Sequence, residues 1–304
     1  MKFFRWLILG ATLFFLVKTF REHWQDVLAI NFHTSLIQFS FLALLLTLIA
    51  HIWSGIVWAG ILKFLQQPAP LTWVLPVYLQ TNLAKYIPGN VWHFYGRIRA
   101  VQAAGSSLEA ASLSTLLEPL LMATAAVLIT LATIQTGNFI PQNNPFYQWL
   151  PLVFASSILI TIHPRLFNPV LNGLARLKKT ASPENRLQIK YYPWFPLLGE
   201  MGFVALRASG FIITLAGFTS LNFSQLPLLL GVFSLSWCLG LVIPSPGGIG
   251  VFESSAIALL NQIFSPAILL STVALFRLLS LSAEALAAAI SWGVAVRNNK
   301  THNL

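Results

Sequence analysis

Charge is scarce in this chain. Of 304 residues, 9% are Asp, Glu, Lys or Arg, against about 25% in an ordinary soluble domain. So few charges do not cover the surface of a soluble domain this size, and the mean hydropathy of +0.73 agrees. Cysteine is rarer still. Cys238 stands alone, which excludes an intrachain disulfide and a CxxC site and leaves a packing role in an apolar helix. Asp26 is the only aspartate, and nothing resembles a nucleophile elbow. No stretch between the apolar runs is long enough for a soluble catalytic domain. His51 and His93 have no second ligand at metal spacing and read as packing or hydrogen-bonding residues. Gly247-Gly248-Ile249-Gly250 is glycine-rich, yet it lacks the strand context and the lysine of a phosphate loop. No catalytic residue, metal or cofactor is therefore expected.

Long apolar runs are abundant. Hydrophobic residues make up 56% of the chain, enough for roughly six to nine spans of ~20 residues. The N-terminus imitates a signal peptide, but Val17-Lys18-Thr19-Phe20-Arg21 is a poor cleavage site, and a retained first span over 3–20 is expected. An interfacial helix fits 21–37, with Trp24, Val27 and Leu28 on one face. Full spans are expected over 38–62, 110–134, 149–163, 194–218 and 266–296. The net charge is +10. Its basic residues gather at segment ends and in the 164–193 loop, where Arg165, Arg176, Lys178, Lys179, Arg186 and Lys190 face Glu184 alone. Anionic lipid headgroups are the expected partner, rather than nucleic acid. That loop belongs in the cytoplasm. Tracing the spans outward from it puts both termini inside too, although Lys18 and Arg21 then fall outside.

Two segments are less ordinary. WVLPVYLQTNLA, Lys85-Tyr86-Ile87-Pro88-Gly89-Asn90 and VWHFYGRIRAVQAAG read as helix, break, helix over 73–103. Residues 225–264 repeat the pattern around Pro244-Ser245-Pro246-Gly247-Gly248. Pro88 and Pro246 are 158 positions apart, and Glu118 and Arg277 are 159 apart, each in the span that follows a break. Each half reads span, broken hairpin, span. By the orientation above, the first hairpin enters from the cytoplasm and the second from the outer face. The fold class expected is an all-α polytopic membrane protein of six full spans and two re-entrant hairpins, an inverted repeat of the kind secondary transporters use. One domain covers 1–304: a first span and interfacial helix (1–37), half one (38–134), a span and basic loop (135–193), half two (194–296) and a cytoplasmic tail (297–304). The alternative is that the Pro-Gly breaks are loops between complete short spans.

Lys85, Arg97, Arg99, Glu118, Arg207, Glu253, Arg277 and Glu284 fall within apolar segments. An unpaired charge at mid-membrane costs ~2.5–3.5 kcal/mol on the insertion scale, so most must pair or line a wet cavity. Arg277 and Glu284 share a helix face, and Glu118 and Arg277 are candidates for a mutual pair. Arg99 is placed to snorkel. The expectation is a polar cavity between the halves. Lys85, Arg97 and Arg277 would hold a lipid phosphate, aided by Gly89, Asn90, Gly247 and Gly248 at the breaks made by Pro88, Pro244 and Pro246. Glu118, Glu253 and Glu284 would balance charge. Plain pairing between helices is the alternative for each.

Asn82-Leu83-Ala84-Lys85-Tyr86-Ile87-Pro88-Gly89-Asn90-Val91-Trp92, followed by Arg97, resembles the first signature of the flippase-like transmembrane region of lysylphosphatidylglycerol synthases. Ile243-Pro244-Ser245-Pro246-Gly247-Gly248-Ile249-Gly250-Val251-Phe252-Glu253 resembles the second, with Val251-Phe252 where basic residues are usual. The resemblance extends over nearly the whole chain. It implies a flippase-like domain that moves a phosphate-bearing lipid, aminoacylated or polyprenyl-linked, between leaflets. The further spans and soluble aminoacyl-transfer domain of the full synthases are not in this sequence, so their enzyme activity is not expected. Other relatives are linked to polyprenyl- or dolichol-phosphate sugar chemistry. That gives the alternative function, a non-transporting membrane partner of a glycosyltransferase or other lipid-modifying enzyme.

Overall fold

The computed structural model describes residues 34–86, 91–133, 145–169, 189–243 and 250–301. The expected first span, nearly all of the interfacial helix and most of the basic loop lie outside them. Among the described residues there are helices and no strand. In chain order they are α1 (Thr34–Phe64), α2 (Leu71–Asn82), a 3-10 turn (Leu83–Tyr86), α3 (Trp92–Ala103) and α4 (Leu108–Thr133). There follow α5 (Pro145–Thr161), α6 (Trp194–Ala216), α7 (Leu226–Val242), α8 (Val251–Leu260) and α9 (Pro266–Thr301).

Local sequence accounts for the ends. α1 runs 31 residues without proline to Phe64, with Lys63 in its last turn. Gln66 then takes φ +58°, and Pro68 and Pro70 keep the chain out of helix until Leu71. Gly105, at φ +94°, makes the tight turn from α3 to α4 that a side chain would strain. Gly250 does the same at the start of α8, with φ +88°.

Five stretches are long and apolar enough to cross a membrane: Ser35–Phe64, Leu108–Thr133, Trp194–Ala216, Phe223–Val242 and Pro266–Gly293. The chain is an all-helical, multi-pass membrane protein. Two segments bear on the number of spans. The span expected over 149–163 is α5, whose 17 residues reach about 25 Å at 1.5 Å per residue, short of the ~30 Å hydrocarbon core. The first arm of the second break, the apolar run 226–243, is α7; with the 3-10 turn before it, Phe223–Val242 is 20 residues, enough to cross unaided.

The bundle is centred on α1 and α6, which share the most extensive contact. Small residues bring them close. A methyl group on Gly199 would lie 2.8 Å from Val57, and one on Gly210 2.9 Å from Thr47 Oγ1. Trp53 Nε1 donates to the Gly199 carbonyl at 2.7 Å. In lipid, where apolar surface gains nothing by leaving the solvent, close backbone approach and hydrogen bonds drive helix association. The face of α1 that includes Ile37, Phe41, Leu45 and Ile49 is left uncovered, as a lipid-facing stripe must be.

Around this pair the contacts follow a rule. α1 packs on α2, α4 and α9; α6 packs on α7, α9 and α4. α2 meets α3 and α9, while α7 meets α8 and α4; α3 meets α4, and α8 meets α9. Exchanging α1–α4 for α6–α9 therefore maps this set of contacts onto itself. One apolar cluster (Trp58, Val74, Tyr78, Val101) is built from the first half with Ala287 of α9 added. Another (Phe211, Phe233, Phe252, Phe276) belongs to the second. A third, including Ala50, Leu121, Ala125 and Val204, joins them.

Candidate functional site

A cavity of about 350 Å³ opens inside the bundle, and all four helices of each half line it. His51 comes from α1, Tyr78 and Asn82 from α2, Lys85 from the 3-10 turn, and His93, Phe94 and Arg97 from α3. α4 supplies Glu118, Pro119, Met122 and Ala123, and α6 supplies Phe203 and Arg207. Trp237 and Leu241 of α7, Phe252 of α8, and Phe276, Arg277 and Ser280 of α9 complete the wall. Pro119 has no N–H, so one backbone acceptor of α4 loses its helical partner beside the cavity.

The buried charges pair. Arg97 Nη1 donates to Glu118 Oε2 at 2.5 Å, and both residues are almost fully buried. Tyr78 donates to the other oxygen, Oε1, at 2.5 Å, and Ser54 lies 2.6 Å behind the Tyr78 hydroxyl. Arg97 also lies over the Tyr78 ring, 3.9 Å from its centre. Glu118 is thus satisfied on both oxygens, which is what makes a buried carboxylate tolerable. Glu253 pairs with Arg277, which donates to Glu253 Oε1 through Nε at 2.7 Å and through Nη2. Its second oxygen accepts the Gly250 N–H at 2.6 Å. One side chain therefore both caps α8 and joins it to α9. Lys85 donates to Glu284 Oε1 at 2.7 Å. His51 Nε2 sits 3.3 Å from the same oxygen, outside hydrogen-bond alignment.

These partners revise the sequence reading. Glu118 pairs with Arg97 rather than Arg277, and Glu284 is bound to Lys85 from the opposite half. Arg97–Glu118 joins α3 to α4; Glu253–Arg277 joins α8 to α9 with the signs reversed. Lys85, Arg97 and Arg277 line the cavity, and each is already engaged by a carboxylate. Glu253 and Glu284 stand behind their cations and outside the cavity wall. The N-terminus of α8, expected to offer N–H groups to an anion, has its leading N–H taken by Glu253. Arg99 is exposed, as snorkelling requires. His93 and Cys238 are buried. Pro88, Gly89, Asn90, Pro244, Pro246, Gly247 and Gly248 lie outside the described residues.

Two residues were missed as site groups. Arg207, read only as one more charge in an apolar segment, is 2% exposed. Its Nη1 donates to Ser280 at 3.1 Å, and its guanidinium carbon lies 5.1 and 5.0 Å from the ring centres of Trp237 and Phe276. It has no carboxylate within ion-pair distance among the described residues. Glu200, not weighed at all, is fully buried with neither carboxyl oxygen hydrogen-bonded among the described residues. The available signal was position: both acid and base sit inside the α6 run, seven residues apart and hence on one face.

No group of three or more His, Cys, Asp or Glu among the described residues is arranged to hold a metal. No protein-family model matches the chain, and no curated protein matches it. The class defined by fold and site is a multi-pass helical membrane protein with a charged cavity between its helices.

Proposed function

We propose that this chain is a transporter of the inner or plasma membrane that moves a phosphate-bearing lipid between leaflets, in the manner expected of the flippase-like region of lysylphosphatidylglycerol synthases. The observation carrying this reading is the mixed lining of the cavity. Lys85, Arg97, Arg207 and Arg277 share it with Phe94, Met122, Phe203, Trp237, Leu241 and Phe276. A lipid presents a charged headgroup and an apolar stem together, and this lining offers a surface to each. A small hydrated ion would have no use for the aromatic walls.

The architecture proposed with it is an inverted repeat with broken hairpins. Support comes from the exchange of contacts between α1–α4 and α6–α9 and from the mirrored pairs Arg97–Glu118 and Glu253–Arg277. Helices α2, α3 and α8 hold 12, 12 and 10 residues, about 15–18 Å each at 1.5 Å per residue, roughly half a bilayer core. Six spans require residues 3–20 and α5 to cross as well. Cytoplasmic termini rest on the Lys and Arg excess of the 164–193 loop.

Reconstitution into vesicles carrying headgroup-labelled lipids tests the function. The expected result is protein-dependent exchange of label between leaflets. No movement of phosphatidylglycerol, aminoacylated phosphatidylglycerol or polyprenyl phosphate would overturn it. Co-purification with a glycosyltransferase in that case would favour the partner role instead.

A further inference from the structure

We propose that Arg207 is the anion-binding group of the cavity and that it takes a singly charged phosphodiester headgroup; the lipid source rests on the transport reading above. Three of the four cations on the cavity wall are neutralised by a partner: Lys85 by Glu284, Arg97 by Glu118 and Arg277 by Glu253. Arg207 is left over. Counting Lys, Arg and Glu, the cavity and its pairs carry one net positive charge. Among the described residues the one other buried carboxyl is Glu200, two turns back on α6; it makes no ion pair with Arg207 and does not line the cavity.

The setting of Arg207 suits a ligand rather than a structural pair. The rings of Trp237 and Phe276 lie within 5.1 Å of its guanidinium carbon, close enough for cation–π attraction. One edge donor reaches Ser280. Nε is buried with no hydrogen-bond partner among the described residues. An unsatisfied buried donor on a charged group is costly, and a phosphate or other oxyanion supplies the in-plane fork of acceptors a guanidinium binds best. Arg207 feels the attraction of Glu284, which is itself bonded to Lys85, and the weaker repulsion of Arg277 on the same wall. One surplus positive charge matches a phosphodiester, which carries one negative charge, better than a phosphomonoester, which carries nearly two near neutral pH.

Native mass spectrometry of the full chain in non-ionic detergent tests this, with short-chain phosphatidylglycerol, phosphatidic acid, phosphatidylcholine and inorganic phosphate as probes. The expected result is one bound phosphatidylglycerol, held at least about tenfold more tightly than phosphatidylcholine and more tightly than phosphatidic acid. Arg207→Gln loses that preference and Arg207→Lys keeps part of it, because a lysine supplies the charge without the fork. Phosphatidylglycerol bound equally by wild type and Arg207→Gln overturns the proposal. If Arg207→Gln does not fold, wild type decides alone: equal affinity for the anionic and zwitterionic lipids overturns it. Inorganic phosphate matching phosphatidylglycerol, with both lost in Arg207→Gln, upholds the Arg207 site, assigns its ligand to free phosphate and sinks the transport reading. Lipid transport by wild type with Arg207→Gln unimpaired sinks the site and leaves the transport reading standing.

Discussion

Replacing Glu118 with Gln removes one charge and almost no volume, and the structure gives the cost. The glutamine amide would keep a carbonyl oxygen for the Tyr78 hydroxyl, which now lies 2.5 Å from Glu118 Oε1. It would leave Arg97, 2% exposed, as an uncompensated buried cation. Removing one partner of a buried ion pair costs about 3–5 kcal/mol. The Tyr78 ring, 3.9 Å from the guanidinium carbon, is there before and after the change and offsets none of the loss. At roughly 2–4 °C per kcal/mol, the melting temperature should fall by about 6–20 °C. Membrane proteins commonly unfold irreversibly, so the comparison is of apparent midpoints at one heating rate, read by fluorescence-detected size exclusion in detergent. The second half of the chain already carries this pair with its signs exchanged, as Glu253 on α8 and Arg277 on α9. The double variant Arg97→Glu, Glu118→Arg should therefore recover part of what either single variant loses. Single losses near those of a surface pair, below about 1 kcal/mol, would refute the reasoning, as would purely additive losses in the double variant.

Other consequences follow from the same geometry. Glu200→Gln should leave the melting midpoint unchanged or raise it, because Glu200 accepts no hydrogen bond among the described residues; a loss as large as that of Glu118→Gln would mean it has a partner. Gly199→Leu and Gly210→Leu should each lower stability by about 1–3 kcal/mol through overpacking, since even a methyl group there would press on Val57 or Thr47. Gly293→Ala, in an open position of α9, should be neutral or raise stability by about 0.5–1 kcal/mol; the reverse ordering of these glycine variants in a thermal melt would contradict the α1–α6 packing. Glu253→Gln should cost more than Lys85→Met, because Glu253 holds both the first turn of α8 and Arg277, whereas among the described residues the ammonium of Lys85 makes one hydrogen bond, to Glu284.

Much of the fold was legible because hydropathy and proline act locally. α4 and α6 begin and end within two residues of the spans read from composition alone, and Pro68 and Pro70 set the start of α2. Lys85, Arg97, Glu118, Arg207 and Arg277 line one cavity, and charges scattered through apolar segments converge because a bilayer penalises them singly. Which charge meets which was not legible, although part of the signal was there. Arg97 and Glu118 are 21 residues apart across the short turn at Gly105, and Glu253 and Arg277 are 24 apart across the turn after α8. Both pairs are contacts between consecutive helices. The matching positions of Glu118 and Arg277 suggested a mutual pair instead, but equivalent residues of two halves need not touch. Arg207 was out of reach for another reason: a residue left without a partner is recognised only after every other partner has been assigned. The first arm of the second break, read as 226–243, agrees with α7 to within one residue, because Pro244 ends the helix.

The most direct test of a lipid pathway through the cavity is to fill it. Ala123 lines the wall from α4, and Cys238, the chain's one cysteine, can be changed to Ala to leave a clean background. In that background Ala123→Cys should support exchange of labelled phosphatidylglycerol between leaflets of reconstituted vesicles. A bulky membrane-permeant maleimide on the introduced thiol should abolish it. Full labelling with exchange undiminished would contradict the account.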